Sequence, residues 1–184
     1  PTLAQVSALL DIDTKSLNEL DDFRSALHDS DVVTLENSAL AEFVSELRLI
    51  KDSFEIGEMR SAVAASVKGF EEVIRHLPKA VAHERGERII EGAFASRARL
   101  EGNGVGYETI AAAGPHACIL HWIKNDGTVG KDDLVLIDAG VELDSYYTAD
   151  ITRTLPASGT FTPIQRKVYE AVREAADAAF AAIK

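Results

Sequence analysis

Two aspartates stand where their residue type and spacing can do chemistry. Asp138 ends the apolar run Leu134-Val135-Leu136-Ile137 and is followed by Ala139-Gly140. Asp150 lies twelve residues further on, within Thr148-Ala149-Asp150-Ile151-Thr152-Arg153-Thr154. A carboxylate abutting a buried strand is costly to desolvate unless it is paired or holds a cation. If the two segments are antiparallel strands, the chain between them folds back and brings both carboxylates to one face. Such acids suit a pair of hard or borderline divalent ions about 3.5–4 Å apart, as in two-metal hydrolases. The plainer readings are a turn opened by Asp138, since Asp-Ala-Gly is common turn chemistry, and a surface pair between Asp150 and Arg153.

His121, in Ile119-Leu120-His121-Trp122, is the third candidate. Its apolar setting predicts a strand, where a histidine is either a hydrogen-bonded core residue or an imidazole that donates to a substrate carbonyl. His28, His76, His83 and His116 have weaker contexts and are read as surface residues. Nucleophilic catalysis has little support. Strand alternation sends Cys118 to the face opposite His121, and no Gly-x-Ser-x-Gly elbow, phosphate loop or dinucleotide fingerprint is present.

The elements that must position these residues follow from caps and periodicity. Asp52-Ser53-Phe54-Glu55 reads as a capping box, opening an amphipathic helix with Ile56, Met59, Val63, Val67, Phe70 and Ile74 as its stripe and Pro78 as its end. A second helix is expected over residues 84–100, with Ile89, Ile90, Phe94 and Ala98 inward, followed by a glycine loop at 101–104. Strands are expected at 107–113, 118–122, 134–138 and 146–155. Thr162-Pro163-Ile164-Gln165 opens a last helix lined by Ile164, Val168, Val172 and Phe180. That helix reaches Lys184 without a stop signal, as expected of a chain cut inside an element.

Composition sets outer bounds. The 184 residues are 46% apolar and 27% charged, with a net charge of −11, an ordinary globular balance. Strong acidity argues against nonspecific nucleic-acid binding. No apolar run approaches the roughly 20 residues of a membrane span, and no basic-then-apolar signal segment opens the chain. The lone Cys118 excludes an internal disulfide framework and a thiolate zinc cluster and suits a reducing compartment, so a cytoplasmic location is expected. Residues 1–60 hold 13 acids against 5 bases, and residues 61–184 hold 17 against 14. The shift suggests an acidic leader, with a strand at 32–35 and a short helix at 38–47, before the main domain.

Taken together, Cys118-Ile119-Leu120-His121-Trp122, Asp138-Ala139-Gly140 and Thr148 through Pro156 resemble aminopeptidase P and prolidase, the proline-directed metallopeptidases of the pita-bread fold. Gly159 through Tyr169 resembles the family's strand-to-helix passage, and Glu46 through Asp52 its interdomain junction. The resemblance implies an α+β, partial pita-bread fold. Residues 1–46 would be the end of an amino-terminal domain and linker, and 47–184 the amino-terminal half of the catalytic domain. It further implies Asp138 as a bidentate ligand to one metal and Asp150 as a bridge between two. His121 would be the substrate-side catalytic histidine that steadies the peptide carbonyl or tetrahedral intermediate. Two divalent ions are implied, manganese first and cobalt or zinc next, activating a bridging hydroxide against the bond before proline. Proline-containing peptides are the implied partners, and homo-oligomers are common in the family.

The chain departs from the family in two respects. The gap between the aspartates is one residue longer than the commonest form, which predicts a bulge near Ser145-Tyr146-Tyr147. The family's remaining ligands, a histidine and two glutamates, are absent, because only Glu170, Glu174 and Asp177 follow Asp150 as acids and no histidine follows His121. The expectation is a fragment with half a site, inactive alone, of an Xaa-Pro aminopeptidase. The alternatives are a prolidase and a non-enzymatic peptide- or protein-binding module.

Overall fold

The computed structural model describes residues 30–183, with side-chain surroundings from residue 40 onward. His28 lies outside the described residues. The chain divides between Lys51 and Asp52 into two units. In the first, α1 (Ser30–Leu49) is continuous, so the strand expected at 32–35 is incorrect. Its β-branched run is only three residues long and is flanked by Leu, Glu and Ala, which favour helix.

The second unit contains α2 (Ser53–Val81), α3 (Gly86–Glu101), β1 (Gly104–Val105), β2 (Ile110–Ala113), a 3₁₀ turn (Gly114–Cys118), β3 (Leu134–Ala139), β4 (Val141–Glu142), β5 (Ile151–Pro156) and α4 (Pro163–Ala182). Strands β2, β3 and β5 form an antiparallel sheet with β3 central, and β1 pairs with β4. Helices α2 and α3 cover one face. Phe94, Ile90, Val73, Val135, Ile137 and Val141 are fully buried between these layers, and Phe94 meets Phe70 edge-on at 5.6 Å.

Both expected capping boxes form. Asp52 accepts from the Glu55 backbone N–H at 2.8 Å, and the Glu55 carboxylate accepts from the Asp52 N–H at 2.7 Å. Thr162 and Gln165 do the same for α4. Of the apolar stripe expected on α2, Phe70 faces the core and the rest does not. Ile56, Met59, Val63, Val67 and Ile74 are exposed, whereas Ala62, Ala65, Ser66, Gly69, Phe70, Val73, Leu77 and Ala80 are buried. Small side chains at Ala62, Ala65, Ser66 and Gly69 let the partner element approach closely around the larger Phe70, Val73 and Leu77. At Gly69 the Phe94 ring occupies the place of a Cβ, its nearest atom 2.5 Å away. Helix α2 also passes through Pro78 for one more turn. The expected lining of α4 is exposed throughout.

Residues 118–122 are not a strand. The 3₁₀ turn ends at Cys118 and a further turn follows, so strand alternation does not separate Cys118 from His121. Gly114, at φ 50, opens the turn, and Pro115 occupies its first positions. Both favour a turn over a continued ladder.

Candidate metal centre

Strand β3 alternates as a half-buried strand should. Val135, Ile137 and Ala139 turn to the helices, and Leu134, Leu136 and Asp138 to the other face. Asp138 lies within the strand and does not open a turn. Its register partner is Thr152 of β5, whose hydroxyl donates to Asp138 Oδ2 at 2.5 Å. Asp150 precedes Thr152 by two residues, so the same alternation directs it to the Asp138 face. Arg153 points elsewhere, its guanidinium donating to the Thr152 carbonyl at 2.7 Å.

The connection between the aspartates is a tight hairpin. The Leu143 carbonyl accepts from the Tyr146 N–H at 2.9 Å, the Leu143 N–H donates to the Tyr147 carbonyl at 2.9 Å, and Tyr146 has φ 65. This is a three-residue loop ending in a left-handed residue, the pattern of a G1 bulge. The bulge expected near Ser145-Tyr146-Tyr147 is thus present at the hairpin tip. The tip is tied to α2 by the Tyr147 hydroxyl, which donates to Glu55 Oε1 at 2.8 Å, and by Ser145, which donates to Glu58 Oε2 at 2.5 Å. Buried Ser66 joins α2 to the opposite end of the hairpin, accepting from the Val141 N–H at 2.9 Å.

Tyr107 joins the two aspartates, a role that the sequence did not signal beyond its place just ahead of a strand. Its hydroxyl donates to Asp150 Oδ1 at 2.9 Å and also faces Asp138. Burial first, and then hydrogen bonding to both carboxylates, pushes the phenol above the ordinary tyrosine range. Two carboxylates, each held by a hydroxyl donor, present oxygen ligands, which fit hard divalent cations. Among the described residues no group of three His, Cys, Asp or Glu side chains converges, so His121 is not a third ligand here.

His121 is exposed, on the turn after Cys118, with φ 52. His116, expected at the surface, is half-buried. Its Nδ1 lies 2.8 Å from Glu87 Oε1 and its ring stacks on Trp122 at 3.9 Å. Glu87 is a second residue that the sequence does not mark, since a glutamate in a helix's first turn is ordinary.

The chain is similar to several known proteins. Residues 57–184 match the profile of metallopeptidase family M24. Xaa-Pro aminopeptidase 1 of Streptomyces coelicolor is 56% identical over 156 residues, covering 84% of this chain and 31% of that protein. Xaa-Pro aminopeptidase 2 of the same organism is 50% identical over 181 residues, covering 98% and 38%. The chain therefore spans about a third of the length of the curated relatives it matches. Among solved structures, aminopeptidase PepP of Pseudomonas aeruginosa superposes with a TM-score of 0.64 at 38% identity, covering 74% of this chain and 30% of that one. Zinc-substituted aminopeptidase P of Escherichia coli, in complex with product, gives 0.61 at 34%, covering 70% and 28%. The mixed helix and antiparallel sheet is part of the pita-bread fold of these neighbours, and divalent metal ions are the family's cofactors. With the profile matching more than two thirds of its length, the chain belongs to metallopeptidase family M24.

Proposed function

We propose that the chain is the amino-terminal part of the catalytic unit of a metal-dependent Xaa-Pro aminopeptidase, which releases the first residue of peptides whose second residue is proline. The observation that carries this reading is the pair Asp138 and Asp150, set on one sheet face by the β3–β5 register and joined by Tyr107. Similarity to proteins named Xaa-Pro aminopeptidase supports the substrate class.

Asp138 and Asp150 are the residues of this chain that would hold divalent metal ions, with further ligands expected from elsewhere in the complete protein. Thr152 fixes one Asp138 oxygen and Tyr107 one Asp150 oxygen, which leaves their remaining lone pairs for cations. Divalent ions there supply Lewis-acid polarisation of the scissile carbonyl and activation of water at neutral pH. His121 is the catalytic residue on the substrate side, donating a hydrogen bond to the peptide carbonyl as charge develops on it. Manganese is the proposed ion, since the oxygen donors are hard. Residues 1–46 are the end of a preceding domain, and 47–184 the first half of the catalytic one.

The lone Cys118 supports a cytoplasmic setting, and the family resemblance supports a homo-oligomer. No helix among the described residues is long and apolar enough to cross a membrane.

The test is metal analysis and peptidase assay of the complete protein. The expected result is two ions per chain and cleavage of a tripeptide with proline second. Cleavage of Xaa-Pro dipeptides alone would make it a prolidase, and absence of both metal and cleavage would make it a binding module. Asp150→Ala is expected to abolish activity with loss of metal. His121→Ala is expected to slow turnover with metal retained.

A further inference from the structure

Glu87 is fully buried in the first turn of α3, where a carboxylate needs donors to offset its desolvation. Its two oxygens take four. Oε1 accepts from the Ala113 N–H at 2.9 Å and meets His116 Nδ1 at 2.8 Å. Oε2 accepts from the Trp122 indole N–H at 2.9 Å and from the Gly127 N–H at 2.7 Å. None of these partners lies in α3. They are spread along residues 113–127, so a single side chain grips both ends and the middle of the loop that carries His121. Burial pushes this carboxyl up, but bonds from Ala113, Trp122, His116 and Gly127 outweigh it and hold the group below the ordinary glutamate range.

A second staple acts within the same loop. Asn125, fully buried and at φ 47, accepts from the Ala111 N–H at 2.9 Å and donates to the Thr109 carbonyl at 2.8 Å. Between these fixed points His121 has φ 52. A non-glycine residue in the left-handed region persists only where its surroundings over-determine it. Trp122, the next residue, is held by Glu87 through its indole and by His116 through stacking.

We propose that Glu87 is a positioning residue, holding His121 in its left-handed backbone conformation and thereby setting the imidazole toward the substrate. The proposal rests on the assignment of His121 in the proposed function. Glu87 itself touches neither metal ligand nor substrate.

The test is Glu87→Gln in the metal-loaded complete protein. Glutamine has one oxygen, so two of the four partners face an amide N–H whichever way it turns. Turnover of a peptide with proline second is expected to fall at least tenfold, with KM and metal content within twofold of the parent. Hydrogen exchange is expected to rise in residues 113–127 and not in the α2–α3 core. In a His121→Ala background the same substitution is expected to cost less than twofold, because the group it positions is gone. Unchanged turnover, unchanged exchange in the loop, or an equal loss in both backgrounds would overturn the proposal. Should Glu87→Gln fail to fold, Trp122→Phe removes one donor and keeps an aromatic ring. A threefold or larger loss of turnover confined to the His121 background is then expected, and an equal loss in both backgrounds, or none, overturns it. A parent that cleaves no Xaa-Pro peptide overturns the functional reading and the proposal together. A cleaving parent indifferent to Glu87→Gln overturns the proposal alone.

Discussion

Gly140 lies so close to the neighbouring strand that one added methyl group tests the placement of both aspartates. A Cβ on Gly140 would stand 1.5 Å from the carbonyl oxygen of Ala149, where real contacts essentially never fall below 3.0 Å. That obstacle is backbone, on the residue before Asp150, so no side-chain rotation relieves it. The two segments must separate by about 1.5 Å, the difference between those distances. Three hydrogen bonds lie in the path of the movement: Gly106 N–H to the Gly140 carbonyl (2.9 Å), Ala149 N–H to the Val141 carbonyl (3.3 Å), and Val141 N–H to Ser66 Oγ (2.9 Å). Overpacking costs about 1–3 kcal/mol, and each net hydrogen bond lost adds about 1 kcal/mol. With one of the three bonds lost, Gly140→Ala is expected to destabilise the chain by about 2–4 kcal/mol, read as a lower urea midpoint at unchanged slope by far-UV dichroism. Because a displacement of about 1 Å can cost on the order of 100-fold in rate, metal affinity and turnover of the complete protein are expected to fall with it. A variant within about 0.5 kcal/mol of the parent, with its metal affinity kept, would refute the close approach of β3 and β5 on which the site depends.

Other perturbations probe the remaining layers. Phe94→Ala empties the fully buried contact among Gly69, Phe70 and the sheet, and a loss of about 3–5 kcal/mol is expected in urea unfolding; less than about 1 kcal/mol would mean the site collapses freely. Tyr107→Phe removes the hydroxyl bonded to Asp150 and is expected to cost about 1 kcal/mol near neutral pH. Because the folded phenol is raised above 10.0, that contribution is present below pH 10.0 and lost as alkali carries the pH through the folded value. While the chain is folded, the variant is expected to keep the parent's full rise in tyrosinate absorbance near pH 10, and loss of one tyrosine's share of that rise would contradict the raised value. Glu87 is lowered from 4.5, so its contribution is present above pH 4.5 and lost as acid takes the pH through the folded value. Acid unfolding of Glu87→Gln is expected to show a shallower limb, and an unchanged limb would mean Glu87 does not titrate on unfolding.

What the sequence disclosed was local or periodic. The caps at Asp52 and Thr162 involve residues three apart, and the inward set Ile90, Phe94 and Ala98 of α3 follows helical spacing. The sharing of a face by Asp138 and Asp150 was foreseeable because antiparallel strands with alternating side chains constrain it. Bulk misled at α2, where Ala62, Ala65, Ser66 and Gly69 share the packed face with Phe70, Val73 and Leu77, while Ile56, Met59, Val63, Val67 and Ile74 lie outside. It misled again at Ile119-Leu120, whose hydrophobicity suggested a strand although Gly114 and Pro115 had already turned the chain. Tyr107 and Glu87 escaped notice because their partners lie far along the chain, Asp150 being 43 residues from Tyr107 and the four partners of Glu87 26 to 40 residues from it. No local pattern encodes contacts at that range.

Trp122 is the only tryptophan in the chain. Its indole N–H is bonded to a buried carboxylate, and its ring lies against the His116 imidazole with 27° between the planes. The tryptophan fluorescence of the chain thus originates inside the loop that bears His121. Its emission wavelength and quenching report the opening of that loop without any label, while far-UV dichroism follows the helices. Separation of the two signals in time, after rapid mixing with acid or with a peptide, would distinguish movement of the loop from unfolding of the domain.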